Sequence, residues 1–380
     1  LIMSNNTLPG MSGGPILNAQ GELVGINGQS FKNEGSNAVD FDGIPINKYK
    51  VAVGIGNKVD DPPSSRTTNN APARNLARVD YSKFDLVRTL SGHSDWVRCV
   101  AISADGQTLV SGSDDKTIKI WNLGTGQLIR TLSGHSNHLL SVAISADGQS
   151  LVSGSGDDTI KIWNLDTGKL IRTLSGHYGW VLSVAISADG QTLVSGSIDR
   201  TIKIWNLGTG ELIRTLSGHS GRVYSVVISA DGQTLVSGSG DDTIKIWNLG
   251  TGELIRTFSG HSSDVESVAI SADGQTLVSG SNKTKTIKIW NLGTGELIRT
   301  LSGHSNPEAI SVDGQTLVSS SWDDKTIKLW NLGTGKLIRT LSDSDLVWSV
   351  AISADGQTLV SSSGGGGGDN TIKIWRQSGR

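Results

Sequence analysis

The sequence predicts an all-β protein built from seven copies of one four-stranded unit, and three observations lead to this prediction. The segment "TIKIWN" and its close variants recur, with the tryptophan at 121, 163, 205, 247, 290, 330 and 375. Each repeat contains four short runs rich in Val, Ile, Thr and Leu, separated by turn residues. Glycine supplies 49 residues and aromatic residues only 5%, which favours short strands and tight turns over helices.

The first repeat gives the positions of the strands and turns. Its four strands are predicted at Val97–Ser103, Thr108–Ser113, Thr117–Asn122 and Leu128–Leu132. Asp105-Gly106 forms the first hairpin turn and Gly124-Thr125-Gly126 the last, because glycine accepts a positive φ. Four antiparallel strands per repeat make one blade of a β-propeller.

The motif "SGH", followed about 28 residues later by "IW", resembles the WD-repeat β-propeller family, with Asn here where the family's dipeptide has Asp. The resemblance covers residues 84–380 and implies seven blades. After the third strand of repeat seven the sequence ends at "WRQSGR", while a spare "LVRTL" lies at Leu86–Leu90, before the first "SGHS". We expect this N-terminal strand to complete the last blade, so that the ring has no open sheet edge.

The resemblance also implies a structural hydrogen-bond network of His, Ser, Asp and Trp in each blade. The imidazole can bond the carboxylate and a serine of "SGS", and that serine accepts from the indole N–H. The alternative is catalysis by His and Asp, but seven near-copies of one catalytic pair favour the structural role. The expected network residues in repeats one to four are His93, Asp115 and Trp121; His135, Asp157 and Trp163; His177, Asp199 and Trp205; and His219, Asp241 and Trp247.

Repeats five to seven depart from this pattern. Thr284 replaces the Asp of repeat five, which leaves His261 short of a partner. Repeat six is shorter at its inner strand and contains Pro307, which cannot donate a ladder hydrogen bond. Repeat seven lacks the Gly-His pair and carries a run of five glycines. Because each lost buried hydrogen bond costs on the order of 1 kcal/mol, we expect blades five to seven to be the most mobile.

Variation among the repeats is concentrated at the start of the inner strand and in the turn before the third strand. In the family that the sequence resembles, both places map to one rim of the disc. The four tryptophans outside the repeat motif fall there, and Trp, Tyr and Arg are enriched in interface hot spots. A protein- or peptide-binding rim is therefore predicted; free drift of loop sequences is the alternative. The expected rim residues are Trp96, Arg98, His138, Tyr178, Trp180, Arg222, Tyr224, Asp264, Glu266, Trp322 and Trp348.

The segment before the repeats predicts a separate unit at 1–58, a flexible linker at 59–82 and the propeller at 83–380. The linker contains "DDPPSSRTTNNAPARNLA", which has almost no large apolar residue. In the first unit, "GMSGGP" followed by "GELVGI" and "FDGIPI" resembles the nucleophile loop and later strands of trypsin-like serine peptidases, as found in bacterial members. The resemblance implies a C-terminal remnant with irregular β structure, Ser12 as nucleophile, and an oxyanion hole at Gly10 and Ser12.

Peptidase activity is not expected of this chain, because a serine hydroxyl needs an adjacent base. In that family the His and Asp precede the Ser, whereas all seven histidines here lie between His93 and His304. A fluorophosphonate should therefore leave Ser12 unlabelled. Two explanations stay open. Either the chain is part of a longer serine endopeptidase whose propeller recruits substrates or regulators, or only the propeller functions.

The charge composition limits the classes of partner that the chain is expected to bind. A net charge of −2, from 33 basic and 35 acidic residues, provides no bulk attraction to nucleic acid or to an anionic membrane. The repeated Lys of "TIKIW" and Arg of "LIRTL" are interpreted as solvated strand edges. Cys99 is the single cysteine, and we expect no disulfide, metal or cofactor. We expect a monomeric scaffold for protein or peptide partners, cytoplasmic as given, or periplasmic or secreted if a longer form carries a leader.

Overall fold

The computed structural model describes residues 79–304, 306–311, 314–321, 323–365 and 370–378, together with four short strands nearer the N-terminus. The chain forms two compact units, Leu1–Asn75 and Leu76–Arg380. In the first unit, Pro15–Leu17 pairs antiparallel with Leu23–Ile26, and Ser30–Lys32 pairs antiparallel with Val39–Phe41. Gly10 and Ser12 lie outside the described residues, so the peptidase resemblance stays a prediction.

The second unit consists of seven four-stranded antiparallel sheets, which confirms the predicted all-β, seven-bladed propeller. From inner to outer, the strands of blades 1 to 4 are Val97–Ile102, Thr108–Ser113, Thr117–Asn122 and Leu128–Ser133; Leu139–Ile144, Ser150–Ser155, Ile160–Asn164 and Leu170–Leu174; Val181–Ile186, Thr192–Ser197, Ile202–Asn206 and Leu212–Leu216; and Val223–Ile228, Thr234–Ser239, Thr243–Asn248 and Leu254–Ser259. Those of blades 5 to 7 are Ser267–Ile270, Thr276–Ser281, Thr286–Asn291 and Leu297–Ser302; Asn306–Ile310, Thr316–Ser321, Thr326–Asn331 and Leu337–Ser342; and Val347–Ile352, Thr358–Ser363, Thr371–Gln377 and Phe84–Ser91. Among the described residues of this unit, the one helical element is the 3₁₀ turn Tyr81–Lys83, and none is a long apolar helix of the kind that spans a bilayer.

The hydrophobic core lies between neighbouring blades. Between blades 1 and 2, Ile118 and Ile120 of the first blade pack with Leu139 and Trp163 of the second. Burying an aliphatic side chain of this size contributes roughly 1.5–3 kcal/mol. The glycine of "SGH" is required by the same packing, because a Cβ at Gly134 would lie 3.0 Å from Cη2 of Trp163. Seven such layers hold the ring together.

The N-terminal strand closes the ring, as the sequence predicts. Phe84–Ser91 pairs antiparallel with Thr371–Gln377, and Leu86 lies opposite Trp375. The closure also extends beyond the predicted strand. Tyr81 and Phe84 stack with ring centroids 5.2 Å apart and are buried in the core between blades 6 and 7. The N-terminal segment therefore adds side-chain packing to the missing strand.

The interpretation of the repeated Lys and Arg as solvated edges is wrong for the lysines that are buried. Lys161 and Lys203 are 9% and 7% exposed, and each Nζ donates to a threonine of the outer strand at 2.9 Å. Arg130 donates from Nη2 to the carbonyl oxygen of Asp166, a turn residue of the next blade, at 3.1 Å. Its stem lies over Gly168, where a Cβ would be 2.2 Å from Arg130 Cδ. The two lysines therefore join neighbouring strands, and the exposed Arg130 joins neighbouring blades.

Candidate functional site

One backbone hydrogen bond holds the two variable places of a repeat side by side. The amide of the first residue after "SGS" donates to the carbonyl oxygen of the residue just before the inner strand. The pairs are Asp114 to Trp96 at 2.9 Å, Gly156 to His138 at 2.9 Å, Ile198 to Trp180 at 3.1 Å, Gly240 to Arg222 at 2.9 Å, and Gly364 to Leu346 at 3.1 Å. The residues predicted to form a rim are therefore neighbours within each of these blades.

A β-bulge opens the inner strand of most blades. In blade 1 the register shifts between Val97 and Cys99, so Arg98 has no partner on the second strand. A bulge re-aims the side chain of its extra residue without disturbing the rest of the ladder. The equivalent residues of blades 2, 3, 4 and 7 are Leu140, Leu182, Tyr224 and Trp348. The residue at the bulge therefore differs in type between blades while the strand pairing stays the same. From the sequence, this position could be recognised only as variable.

Across blades 7, 1, 2 and 3 the rim is filled by connected side chains, which we call the aromatic row. Its members are Trp348, Trp96, Arg98, Asp114, His138 and Trp180. The rings of Trp96 and Trp348 stack with centroids 5.4 Å apart and an interplanar angle of 20°. The Cζ atom of Arg98 lies 4.6 Å from the Trp96 centroid and 3.9 Å from the Trp348 centroid. Such cation–π contacts each contribute about 0.5–2 kcal/mol.

An ion pair extends the aromatic row across blade 1 to blade 2. Arg98 donates to Asp114 from Nε at 2.9 Å and from Nη2 at 2.7 Å. His138 Nδ1 lies 3.3 Å from Asp114 Oδ1, and the imidazole meets Trp180 edge-on with centroids 6.4 Å apart. Trp180 remains 44% exposed and ends the row at blade 3. The row is therefore an ordered surface held by its own contacts.

The remaining predicted rim residues lie apart from this row. Tyr178 is 94% exposed beside the inner strand of blade 3. Trp322 lies outside the described residues. The other four members of the predicted rim belong to blades 4 and 5 and are Arg222, Tyr224, Asp264 and Glu266.

Between blades 3, 4 and 5 the rim is open. A cleft of about 500 Å³ is lined by Ile198, Arg200, Ser220, Gly221, Arg222, Tyr224, Gly240 and Asp264. The Tyr224 hydroxyl donates to Asp264 Oδ2 at 3.1 Å, and burial together with this carboxylate raises the pKa of Tyr224. Burial and, to a lesser degree, Asp264 raise the pKa of Glu266 to about 7. Arg200, which sequence reasoning did not select, lies on this cleft at a turn position where the sibling repeats carry Lys, Asp or, in repeat seven, Asn.

Beneath the rim, blades 1 to 4 contain the same buried hydrogen-bond network. In blade 1, His93 Nδ1 lies 2.7 Å from Asp115 Oδ2 and Nε2 lies 2.8 Å from Ser111 Oγ, which accepts from Trp121 Nε1 at 2.9 Å. Burial alone would raise the pKa of Asp115, but hydrogen bonds from His93 and Thr117 outweigh it and hold this pKa well below its usual range. The other three sets are His135, Asp157, Ser153 and Trp163; His177, Asp199, Ser195 and Trp205; and His219, Asp241, Ser237 and Trp247.

Blades 5 and 6 contain incomplete versions of this network. His261 keeps Ser279 at 2.7 Å, but its buried Nδ1 has no hydrogen-bond partner, and burial lowers its pKa to about 4. In blade 6 the imidazole of His304 is turned round, so that Nδ1 lies 2.5 Å from Ser319 Oγ and Nε2 lies 3.1 Å from Thr326 Oγ1. The carboxylate of Asp324 is then 3.7 Å from His304 Nε2.

Blade 7 replaces the histidine by a buried ion pair. Lys373 Nζ binds Asp343, and the two side chains are 8% and 0% exposed. Ser361 Oγ donates to Asp343 Oδ2 at 3.4 Å and accepts from Trp375 Nε1 at 3.0 Å. These buried polar groups of blade 7 satisfy one another. Within the part of the chain that the structure describes, no three His, Cys, Asp or Glu side chains are grouped to hold a metal ion.

Seven four-stranded blades, closed by the N-terminal strand and carrying repeated Ser–Trp hydrogen bonds, define a repeat propeller. The family model described as "WD domain, G-beta repeat" matches residues 84–122, 126–164, 168–206, 210–248, 252–291, 295–331 and 335–376. The chain therefore belongs to the WD40 repeat family and is a propeller scaffold. The family match begins at residue 84, so it does not extend to the peptidase resemblance of residues 1–58 or to the endopeptidase alternative.

The chain is also similar to several curated eukaryotic proteins. It is 39% identical over 69 residues to the pre-mRNA-splicing factor prp46 of Emericella nidulans, which is 18% of this chain and 15% of that protein. It is 48% identical over 48 residues to human pleiotropic regulator 1, covering 13% of this chain and 9% of the relative. It is 43% identical over 47 residues to the nuclear distribution protein PAC1 of Candida dubliniensis, covering 12% and 10%. The chain thus matches less than a fifth of the length of each of these relatives.

Proposed function

We propose that this chain is a protein-interaction scaffold that binds a protein or peptide partner across the rim. The observation that carries the proposal is the aromatic row. Trp348 is a bulge residue, Trp96 and Trp180 lie at the variable position just before the inner strand, and all three are partly exposed. Trp and Arg dominate interface hot spots. A row held by its own stacking and ion pair also loses little conformational entropy when a partner binds.

Charge favours a protein partner over nucleic acid. The net charge of −2 gives no general attraction to phosphate. In the aromatic row the guanidinium of Arg98 is already neutralised by Asp114. The similar proteins named as a splicing factor and a nuclear distribution protein are compatible with a scaffold role. We propose that the chain acts as a monomer and that its partner is recognised by aromatic and polar contacts.

The proposal is tested with random peptides displayed on phage and selected on the full chain. Dissociation constants of the selected peptides are then measured by fluorescence polarisation. We expect Trp180→Ala to weaken binding at least about tenfold, which is about 1.4 kcal/mol. The matched control is Gln191→Ala, an exposed residue of the same blade in the turn between the inner and second strands, on the opposite rim.

The control should bind the peptides as the unsubstituted chain does, and thermal unfolding followed by circular dichroism should show that both variants are folded. If no peptide is selected, or if Trp180→Ala binds the selected peptides with unchanged affinity, the rim is not the binding surface.

A further inference from the structure

Blade 5 keeps the N–H donors of the buried network but has no carboxylate to accept from them. In blades 1 to 4 one carboxylate oxygen accepts from the imidazole and from the backbone amide of the residue after the histidine. In blade 1, His93 Nδ1 lies 2.7 Å and the Ser94 amide nitrogen 3.1 Å from Asp115 Oδ2. The same two contacts measure 2.7–3.1 Å in the other three blades, at Asp157, Asp199 and Asp241. The fold therefore directs two N–H groups at a single acceptor atom.

This donor set favours an acceptor with a full negative charge. Burial alone would raise the pKa of each carboxyl, but hydrogen bonds from the histidine and a threonine outweigh burial. They hold the pKa of Asp115, Asp157 and Asp199 well below its usual range and lower the pKa of Asp241 to about 2. Hydrogen bonds that favour the charged form of a carboxyl stabilise an anion in their midst. Four repeats thus contain the same anion-stabilising surroundings.

The corresponding donors of blade 5 have no acceptor. His261 is 8% exposed, and its Nε2 lies 2.7 Å from Ser279 Oγ, which accepts from Trp290 Nε1 at 2.8 Å. Because the serine hydroxyl donates its hydrogen to Nε2, the neutral ring carries its proton on Nδ1. This Nδ1 is buried without a hydrogen-bond partner, and among the described residues the Ser262 amide has no acceptor either.

Thr284 stands where the sibling blades have the aspartate. Its side chain is one non-hydrogen atom smaller than that of aspartate, and its hydroxyl bonds Thr286 Oγ1 at 2.8 Å rather than the imidazole. Ser262 is exposed and Thr284 half-buried, so the donors lie just below the surface, and a ligand reaches them when the Thr284 side chain moves aside. Burial and, to a lesser degree, the Lys288 ammonium lower the pKa of His261 to about 4. A positive charge is therefore close to the two donors.

We propose that blade 5 binds a small monovalent anion, of the size of formate or chloride, with one acceptor atom in the place that Asp115 Oδ2 takes in blade 1. His261 Nδ1–H and the Ser262 amide donate to the anion, and Lys288 compensates its charge. Hydrogen bonds to an ionised acceptor are about twice as strong as neutral ones, which offsets the loss of the anion's hydration. Formate presents the same kind of oxygen as the sibling aspartates, and chloride presents a single charged atom. The bound anion completes the network that the other blades complete with their own side chain.

The test is amide hydrogen exchange of the full chain at pH 7 and constant ionic strength in sodium formate, sodium chloride and sodium gluconate. Gluconate is too large to replace one oxygen atom. A ligand that binds only the closed blade stabilises it by mass action, so at about 0.1 M formate or chloride the amides of Thr276–Ser281 and Thr286–Asn291 should exchange about tenfold more slowly than in gluconate. The amides of blades 1 to 4 are the control for general salt effects, because their own aspartates accept from these donors.

Two variants test the assignment to this network. Thr284→Asp supplies an internal carboxylate, so blade 5 should be equally protected in all three salts. Asp115→Ala removes the carboxylate of blade 1 and should make the protection of that blade depend on formate. Circular dichroism shows whether both variants are folded.

The proposal is overturned if the unsubstituted blade 5 is equally protected in all three salts. It is also overturned if blades 1 to 4 respond as strongly as blade 5, or if Thr284→Asp keeps the full salt effect, because the anion then acts elsewhere. A response to only one of the two small anions supports the site and identifies its ligand.

Discussion

Blades 1 to 4 and blades 5 to 7 keep the same tryptophan–serine hydrogen bond and differ in the polar groups around the serine. The indole N–H donates to the serine at 2.8–3.0 Å in all seven blades. In blades 1 to 4 the serine also meets an imidazole that is fixed by a carboxylate. In blades 5 and 6 the serine meets an imidazole that has no carboxylate at hydrogen-bond distance. In blade 7 it donates to Asp343 instead. The blade therefore needs an acceptor for the serine hydroxyl, and either an imidazole or a carboxylate can be that acceptor.

The two groups of blades also bury charge differently. In blades 1 to 4 each carboxylate receives hydrogen bonds from the imidazole and from a neighbouring threonine. In blade 7 a full ion pair, Asp343 with Lys373, is removed from water. Breaking such a pair costs far more than losing one neutral hydrogen bond, because the remaining charge stays buried. Removing one partner of the ion pair in blade 7 should therefore lower the free energy of unfolding more than removing one hydrogen bond of the network in blades 1 to 4.

The largest effect is expected at Asp343. Its replacement by Ala leaves Lys373 buried without its carboxylate and should lower the free energy of unfolding by about 3–5 kcal/mol. Urea denaturation followed by tryptophan fluorescence measures the change. The matched variant, Asp343→Leu with Lys373→Met, removes both charges and should recover most of the lost stability. A loss below 1 kcal/mol in the single variant, on the order of one neutral hydrogen bond, would show that the ion pair is not buried in solution.

A smaller effect is expected at Asp115 of blade 1. Asp115→Asn keeps the shape but removes the charge that accepts from His93 and Thr117, which should cost about 1.5–3 kcal/mol. The pKa of Asp115 lies below its usual range, so this contribution is present above the unfolded pKa of about 3.9 and is lost as the pH falls towards the folded value. The loss should therefore shrink in acid. The exposed turn residue Asp166, changed to Asn, should stay within about 0.5 kcal/mol.

The fold could be predicted from the sequence because the repeat specifies each strand several times over. The predicted strands of the first repeat differ from the observed ones by one residue at Ser103 and one at Ser133. The closing strand was found because "LVRTL" matches the outer strands elsewhere. The packing of Tyr81 and Phe84 was missed, because neither residue has a counterpart in the repeats.

The candidate site could be predicted only as a set of variable positions. Sequence variation selected Trp96, Arg98 and Trp348, but it could not say that they contact one another, because blade 7 meets blade 1 only after the ring closes. The pairing of Arg98 with Asp114 depends on the bulge that frees Arg98 from the ladder. Nor could the sequence show that Lys373 turns to Asp343, since the equivalent lysines of blades 1 to 5 bind threonine.

Amide hydrogen exchange measures the local stability of every blade and so tests the expected difference between blades 1 to 4 and blades 5 to 7. Blade 5 has an inner strand of four residues, Ser267–Ile270, where blades 1 to 4 have six. We expect its amides and those of the incomplete blade 6 to be about tenfold less protected than those of blades 1 to 4, which corresponds to about 1.4 kcal/mol of local opening energy. Blade 7 should lie in the same group. Uniform protection around the ring would contradict the expected difference between the blades.

The smallest effect is a gain, expected from Thr284→Asp in blade 5. Thr284 Oγ1 bonds Thr286 Oγ1 at 2.8 Å, as Asp115 bonds Thr117 in blade 1, so a carboxylate at this position should reach the unpartnered Nδ1 of His261. One new hydrogen bond should add about 1 kcal/mol at pH 7.

The gain should also depend on pH. The pKa of His261 is about 4 in the folded chain, and its ordinary value is 6.5. Between these values the unfolded chain binds the extra proton, so the stability of the unsubstituted chain rises with pH across that window. A carboxylate partner raises the folded pKa and removes part of that slope. The gain over the unsubstituted chain should therefore be larger at pH 5 than at pH 7, whereas Thr284→Asn, which adds no charge, should give a gain independent of pH. A gain that is equal at both pH values in the Asp variant would mean that the new carboxylate does not reach the imidazole.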